Sequence, residues 1–455
     1  MTSRHVVVVG GGIAGLAAAH ALGSAGVRVT VLEGSAQVGG KLRTGELAGL
    51  DVEEGAETFL ARVPEALDLA HAVGLGDAIT HPATSSAAVW ARGALRPLPA
   101  RTLFGIPSSA RSVADVVGAP AALRAALDHV LPPQQADDDV SVGALVRRRL
   151  GDAVVDTLVD PLLGGVYAGR ADGLSVRATV PQLAGAGGSL VRAVRAAVPA
   201  SGAPAAPVFA AVRGGLGRLP AAVAAASGAT VLTGRLVRRL ERTANGFRVV
   251  HGATTDEAVV DADAVVVAVP ATPAGRLLAD LAPSAARELA AIEYASIGLV
   301  ATLWPRDCLS LPPGSGYLVP AVAGRPVKAV TFLSQKWAHL DTGDHVAVRC
   351  SFGRHGEAGD LQRDDDELVD LAVAELALTS GARGRPAAAR VTRWGGGLPQ
   401  YAVGHVDRLR RIRDGVAAVP GLAVCGAAYD GVGVPACIRS GQAAAAQLLA
   451  ALSSR

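Results

Sequence analysis

Residues 5–33 read HVVVVGGGIAGLAAAHALGSAGVRVTVLE, and this stretch decides the fold. The apolar run HVVVV (5–9) has strand composition and stops at a cluster of glycines. LAAAHALGSAG then reads as a helix ending at Gly26, and VRVTVLE as the next strand. A strand, a glycine turn, a helix and a second strand make a parallel β-α-β unit. Gly10 permits the tight turn, Gly12 lets the backbone approach a pyrophosphate, and Gly15 lets helix and strand pack closely; Gly11, Ile13 and Ala14 complete the loop. The acidic Glu33, followed by Gly34, closes the second strand eighteen residues after Gly15, where it can accept hydrogen bonds from a ribose. The helix N-terminus meets the phosphates. With every part in place, the stretch predicts dinucleotide binding. A bare G-x-G-x-x-G would be weaker, because glycine turns also arise by chance.

Working outward, VGGKLRT (38–44) follows almost at once. Gly39 and Gly40 offer a second close-approach turn, and Lys41 and Arg43 bring cations able to neutralise phosphate. Nicotinamide-dependent dehydrogenases usually lack this second turn and many flavoproteins carry it, so FAD is the expected cofactor. At the far end, GAAYDGVGVPACIRSG (426–441) is another bare turn running into an alanine-rich helix whose free N–H groups face whatever lies ahead. Alone it also reads as a surface turn capping a terminal helix.

The 455 residues exceed the size of a single core, so at least two domains are expected. Half the residues are hydrophobic but only 3% are aromatic, so small side chains supply the apolarity. No run nears the roughly 20 apolar residues that span a bilayer; DADAVVVAVPA ends at Pro270 after strand length. MTSRHVVVVGGG lacks the pattern of a secretory leader, and the protein is expected in the cytosol. Cys308, Cys350, Cys425 and Cys437 form no C-x-x-C pair, which argues against a disulfide framework or a zinc site and for inert buried thiols. No metal-ligand cluster appears among the histidines. A net charge of +3 with scattered arginines argues against nucleic acid. Lysine occurs only at 41, 328 and 336.

Residues 102–160 are helix-rich and interrupted by Pro132–Pro133 and by the acidic DDD at 137–139, read as a solvated loop. From 208 onward a turn and helix, an alternating pair of strands about Asn245–Gly246 and the apolar run at 264–269 have the pattern of pieces rejoining the first domain. Residues 275–415 combine helices at 284–292 and 364–379 with strands such as IGLVATLW and HVAVRCSF, as a separate mixed sheet would.

GGGIAGLAAA with VGGKLRT resembles the amine-oxidase-like flavoproteins. DVEEGAETFLAR (51–62), VDPLLGGVYAGRADGLSVRATVPQL (159–183), RWGGGLPQYAVGH (393–405) and GAAYDGVGVPACIRSG (426–441) resemble one branch, the oxygen-dependent protoporphyrinogen/coproporphyrinogen oxidases. The resemblance covers essentially the whole chain. It implies an α/β fold class: a discontinuous Rossmann-type FAD-binding domain of the GR2-like kind, a mixed α+β substrate-binding domain and a helical insertion. The expected divisions are 1–85, 208–274 and 416–455 for the FAD domain, 86–101, 165–207 and 275–415 for the substrate domain, and 102–164 for the helical subdomain.

By this resemblance FAD contacts Gly10 to Gly15, Glu33, Gly34, Gly40, Lys41, the turn Gly55–Ala56–Glu57–Thr58, Val237 beside the adenine, Trp394, and Val432, Gly433 and Val434 against the flavin. Ala56 departs from the family's usual proline. The implied reaction removes six electrons from a porphyrinogen in three two-electron steps, with O2 as acceptor and hydrogen peroxide released. No side chain is expected to act catalytically, since the flavin carries the chemistry. The implied substrate slot uses Gly165 and Tyr167 of GGVYAG, Leu318, Phe332 and Trp337. Arg62, with Arg92, Arg96, Arg170 and Arg177, lies where a guanidinium could hold a propionate. Ala87 stands where mitochondrial and chloroplast members carry arginine, so the chain resembles the Gram-positive bacterial branch acting on coproporphyrinogen III, with protoporphyrinogen IX as the alternative. Peripheral membrane contact, oligomeric state and hand-off of product to a ferrochelatase stay open. Three rivals remain: a carotenoid desaturase, which GGVYAG and YAVGH do not resemble, a non-catalytic porphyrin carrier, and an amine oxidase. The last needs a lysine-held water, for which only Lys328 and Lys336 are available, and a tyrosine cage, for which only Tyr429 stands in the last turn.

Overall fold

The computed structural model describes residues 4–133, 139–198 and 207–453. His5–Val9 is the middle of a five-stranded parallel sheet whose order is Thr230–Leu232, Arg28–Leu32, His5–Val9, Ala264–Val267, Leu422–Val424. Both faces of such a sheet are covered, which is why its strands are continuous apolar runs. The period of two divides the valines between two cores. Val6 and Val8 face the helices Ile13–Ser24 and Val434–Ser453, while Val7 and Val9 face Leu289, Leu409 and Ile412. Each valine of the run is almost fully buried and contributes about 1.5 to 3 kcal/mol. The glycine-loop helix ends at Ser24, two residues before the glycine expected to stop it, and Gly26 takes the left-handed turn at φ 78°.

The strands at Val237–Arg242 and Phe247–Ala253 form the expected pair about Asn245–Gly246, and a third strand, Asp256–Ala262, extends them into a meander. This meander covers the Val7 face of the parallel sheet. The second large sheet has seven strands in the order Ala388–Pro399, Tyr294–Pro305, His345–Phe352, Val327–Phe332, Gly316–Leu318, Ala88–Ala91, Ala94–Pro97. Its pairings are antiparallel except that of Gly316–Leu318 with Ala88–Ala91. The helix Asp365–Ser380, with a capping box at Asp364 and Glu367, covers one face through Leu368, Ala372 and Leu376.

A helical cluster built from described residues of 106–133 and 139–194 encloses Val142, Val146, Leu163 and Leu190, with Tyr401 reaching in from the long strand's far end. The buried pair Arg149–Asp128, at 2.6 Å, ties it together; Asp128 also accepts from Ser189 Oγ and the Val191 N–H. Of the acidic run at 137–139, residues 137 and 138 lie outside the described residues. Asp139 is no free solvated acid, and that reading is corrected. Its carboxylate accepts from Ser175 Oγ at 2.7 Å and from the Gly404 N–H at 2.8 Å, because a carboxylate at a chain crossing satisfies donors that the fold leaves over. Among the described residues no helix is long and apolar enough to cross a membrane.

Candidate cofactor and substrate site

The three glycines of the first turn behave differently, and each behaviour follows from its surroundings. Gly10 has φ +108°, and a side chain there would stand 2.8 Å from the Ala268 carbonyl oxygen. A Cβ on Gly15 would lie 2.1 Å from the Gly10 carbonyl, so helix and strand pack backbone to backbone. A Cβ on Gly12 would meet nothing within 4 Å. Two of the glycines serve packing, and the third faces open space at the helix N-terminus.

The second turn closes on the first. The Gly39 N–H donates to the Gly11 carbonyl at 2.8 Å, and Gly12 and Gly39 form a parallel bridge. The Lys41 carbonyl accepts from the Ala56 N–H at 3.0 Å, which joins the 55–58 turn. Proline there, the usual residue of the resembled family, has no N–H to give. Burial lowers the Lys41 ammonium from its ordinary value, and the thiol of Cys437, in the first turn of the C-terminal helix, lies close enough to act on it. Lys41 has no carboxylate partner among the described residues. Gly441 presses on Ala14, where a Cβ would be 2.0 Å from the Ala14 carbonyl, so the N-terminal and C-terminal helices meet directly. Trp394 Nε1 donates to the Glu54 carbonyl at 2.5 Å. At the other end, the Arg235 N–H donates to the Glu33 carbonyl at 2.7 Å and Gly34 abuts Leu236, which puts Val237 beside the acidic tip. Glu33 itself accepts from the Gly11 N–H at 2.6 Å and from Ser35. Segments hundreds of residues apart thus converge on the first glycine loop, which offers open space at Gly12, the free N–H groups of a helix N-terminus and, just beyond Gly40, a lysine with no carboxylate partner among the described residues. That donor set fits the pyrophosphate of FAD.

Glu57 and Thr58 follow in the same turn, but the Glu57 side chain turns into the protein. It pairs with Lys336 at 2.7 Å and with Arg349, and accepts from Trp337 Nε1 at 2.8 Å. Burial would raise this carboxyl, but Arg349 and Lys336 overcome it and hold it down to about 2. Trp337 is therefore a core residue, 2% exposed. Phe332 is 1% exposed and packs on Tyr317 beneath the covering helix. On the strand's other face stand Ala329 and Thr331. Gly165 is exposed, and its nearest neighbour would be Leu318 Cδ2 at 4.0 Å, so these two expected slot residues come together. Arg62 and Arg92 are exposed, Arg96 binds the Ala91 carbonyl, Arg170 pairs with Asp160 and Glu357, and Arg177 lies 3.7 Å from Asp407.

Sequence reasoning used YAVGH only as a mark of resemblance and did not single out its side chains. In the structure Tyr167, Tyr401 and His405 form a column, with ring centroids 5.5 and 4.1 Å apart. The Tyr401 hydroxyl donates to the Ala427 carbonyl at 2.7 Å and accepts from the Gly431 N–H at 2.8 Å. One oxygen thereby clamps both ends of the bare turn that precedes Val432, Gly433 and Val434. Burial pushes His405 down to about 4, so the ring is neutral at ordinary pH.

The chain belongs to the flavin containing amine oxidoreductases, whose family model matches residues 13–449, and FAD is its cofactor. Among its relatives, the coproporphyrinogen III oxidase of Mycobacterium leprae (strain TN) is 38% identical, with 96% of each chain covered. The chloroplastic protoporphyrinogen oxidase of Oryza sativa subsp. japonica is 28% identical, covering 98% of this chain and 88% of that one. Wild-type putrescine oxidase solved with putrescine has a TM-score of 0.70 at 19% identity, covering 98% of this chain and 99% of that one, which shows the shared fold alone.

Proposed function

We propose that this protein oxidises coproporphyrinogen III to coproporphyrin III, with O2 as acceptor and hydrogen peroxide as by-product, in haem biosynthesis. The observation that carries the reading is end-to-end similarity to coproporphyrinogen III oxidases, at 38% identity over 96% of both chains. When bound, FAD supplies the two-electron oxidation, repeated for the six electrons that separate porphyrinogen from porphyrin. The chain's residues bind and orient. The loop Gly10 to Gly15 and Lys41 hold the pyrophosphate, and Glu33 and Val237 flank the adenosine end. Gly164, Gly165 and Leu318 offer an apolar face to the macrocycle, while the Tyr167–Tyr401–His405 column sets that face against the turn at Val432 to Val434. An amine-oxidising reading loses two of its three candidates, since Lys336 is engaged by Glu57 and Tyr429 is buried at 3% exposure, and it keeps Lys328 without the tyrosine cage.

Aerobic turnover of coproporphyrinogen III and protoporphyrinogen IX in parallel, followed by porphyrin fluorescence and peroxide, tests the reading. Faster oxidation of the four-propionate substrate with about three peroxides per porphyrin is expected. Preference for protoporphyrinogen IX would move the enzyme to a later step, and FAD-loaded protein inert on both would favour a carrier or another oxidase.

A further inference from the structure

Lys328 is the one lysine that neither the cofactor cradle nor the Glu57 cluster uses. It stands at a bulge in the strand Val327–Phe332, where the pairing with His345–Phe352 slips between Val327 and Ala329. That strand runs against the Gly-Gly helix Asp160–Tyr167, and the residue after Lys328, Ala329, pairs with Leu318, the neighbour of Gly165. The charged residue acting on Lys328 is Arg354, a second cation. Arg354 is itself immobilised, its guanidinium donating to the carbonyls of Arg325 at 3.2 Å and Val319 at 3.0 Å. The nearby carboxylates are engaged elsewhere: Glu357 lies 3.0 Å from Arg170 and 4.0 Å from Arg354, and Asp160 lies 3.3 Å from Arg170. Lys328 makes no ion pair with any described residue.

Arg354 also reaches the Val327 carbonyl at 3.4 Å, so two half-buried cations meet at this bulge with no acid for the lysine, an arrangement that is unfavourable unless an anion completes it. We propose that Lys328, backed by Arg354, is a carboxylate subsite that takes one propionate of the porphyrinogen lying on Gly165 and Leu318. The inference rests on the function proposed above. Burial and Arg354 together push the free ammonium down to about 7, a cost that a bound carboxylate would reverse.

The test compares Lys328→Met and Lys328→Arg with the wild-type holoenzyme on coproporphyrinogen III and on its tetramethyl ester, alongside coproporphyrin III binding by fluorescence and FAD content. Lys328→Met should raise KM and the coproporphyrin III Kd about tenfold, the size of a charge-assisted hydrogen bond, with kcat and FAD content unchanged. Lys328→Arg should recover most of the affinity, and the ester should not distinguish the three proteins. Unchanged KM and Kd in Lys328→Met, or equal losses on acid and ester, would overturn the subsite while leaving the function standing. Wild-type holoenzyme inert on the acid and unable to bind coproporphyrin III would overturn both.

Discussion

Gly12 and Gly15 share a motif and differ in what they face, and substitution separates the two roles. Gly12→Val places its side chain in the open space at the helix N-terminus, so the apoprotein should keep its thermal midpoint while FAD affinity falls at least tenfold. Gly15→Val drives atoms into the Gly10 carbonyl and should cost several kcal/mol, about 3 or more, with or without flavin. Flavin absorbance after gel filtration and melting of the apoproteins distinguish the two. Tyr401→Phe removes a single oxygen that satisfies Ala427 and Gly431, costing about 1 to 3 kcal/mol of stability. Because the freed backbone belongs to the turn proposed to face the flavin, the variant should also release FAD more readily in an equilibrium dialysis experiment. The motif's glycines were legible in the sequence because their constraint is local. The tyrosine's function was not, since its partners lie 26 and 30 residues away.

At the scale of elements, charges hold segments together, and their protonation has a definite sign. Glu57 links the turn after Glu53 to the strand carrying Arg349 and to Lys336. Its folded pKa of about 2 lies below the unfolded 4.5, so the stability it adds is fully present above 4.5 and is lost as pH falls toward 2. Four residues earlier, burial raises Glu53 to about 7, despite the Leu216 N–H and Thr44 hydroxyl that bind it. The sign reverses: Glu53 favours the fold below 4.5, and that contribution fades as pH rises through 7. Unfolding of Glu53→Gln across pH 5 to 8 should therefore show the variant gaining on the wild type as pH rises. Glu57→Gln, which leaves Arg349 and Lys336 uncompensated, should lose about 3 to 5 kcal/mol at pH 7. In the helical cluster Arg149→Met strands the Asp128 carboxylate and should cost a similar amount by denaturant titration. The charges of EEGAE and RRRLGD were visible in the sequence, but the identity of each partner was not.

For the molecule as a whole, the chain leaves the parallel sheet and returns to it three times, supplying strands at Thr230–Leu232, Ala264–Val267 and Leu422–Val424. The turn proposed to face the flavin and the first glycine loop are thereby assembled from opposite ends of the chain, with Gly441 on Ala14 as the contact. Removal of the C-terminal helix from Val434 onward should abolish FAD binding even though the entire G-x-G-x-x-G unit is kept, because that helix covers the Val6–Val8 core face and supplies Cys437 beside Lys41. Flavin content of the truncated protein measures this.

Residues 5–33 by themselves determined a nucleotide-binding β-α-β unit, because steric limits on glycine, period-two burial and helix polarity act over a few residues and leave few alternatives. The mark of the porphyrinogen-oxidising branch was likewise readable in GGVYAG, YAVGH and DGVGVPACI. Only the tertiary structure decided which faces those segments present. Strand register buries Phe332 and leaves Ala329 and Thr331 on the other face, the bond to Glu57 holds Trp337 in the core beyond the strand's end, and a bulge sets Lys328 apart from the strand's pattern. Asp139 became a crossing point and Tyr401 a clamp because distant backbone donors came to them. Long-range pairing is settled by the packing of the whole chain, and nothing within a single segment records where its partners will be.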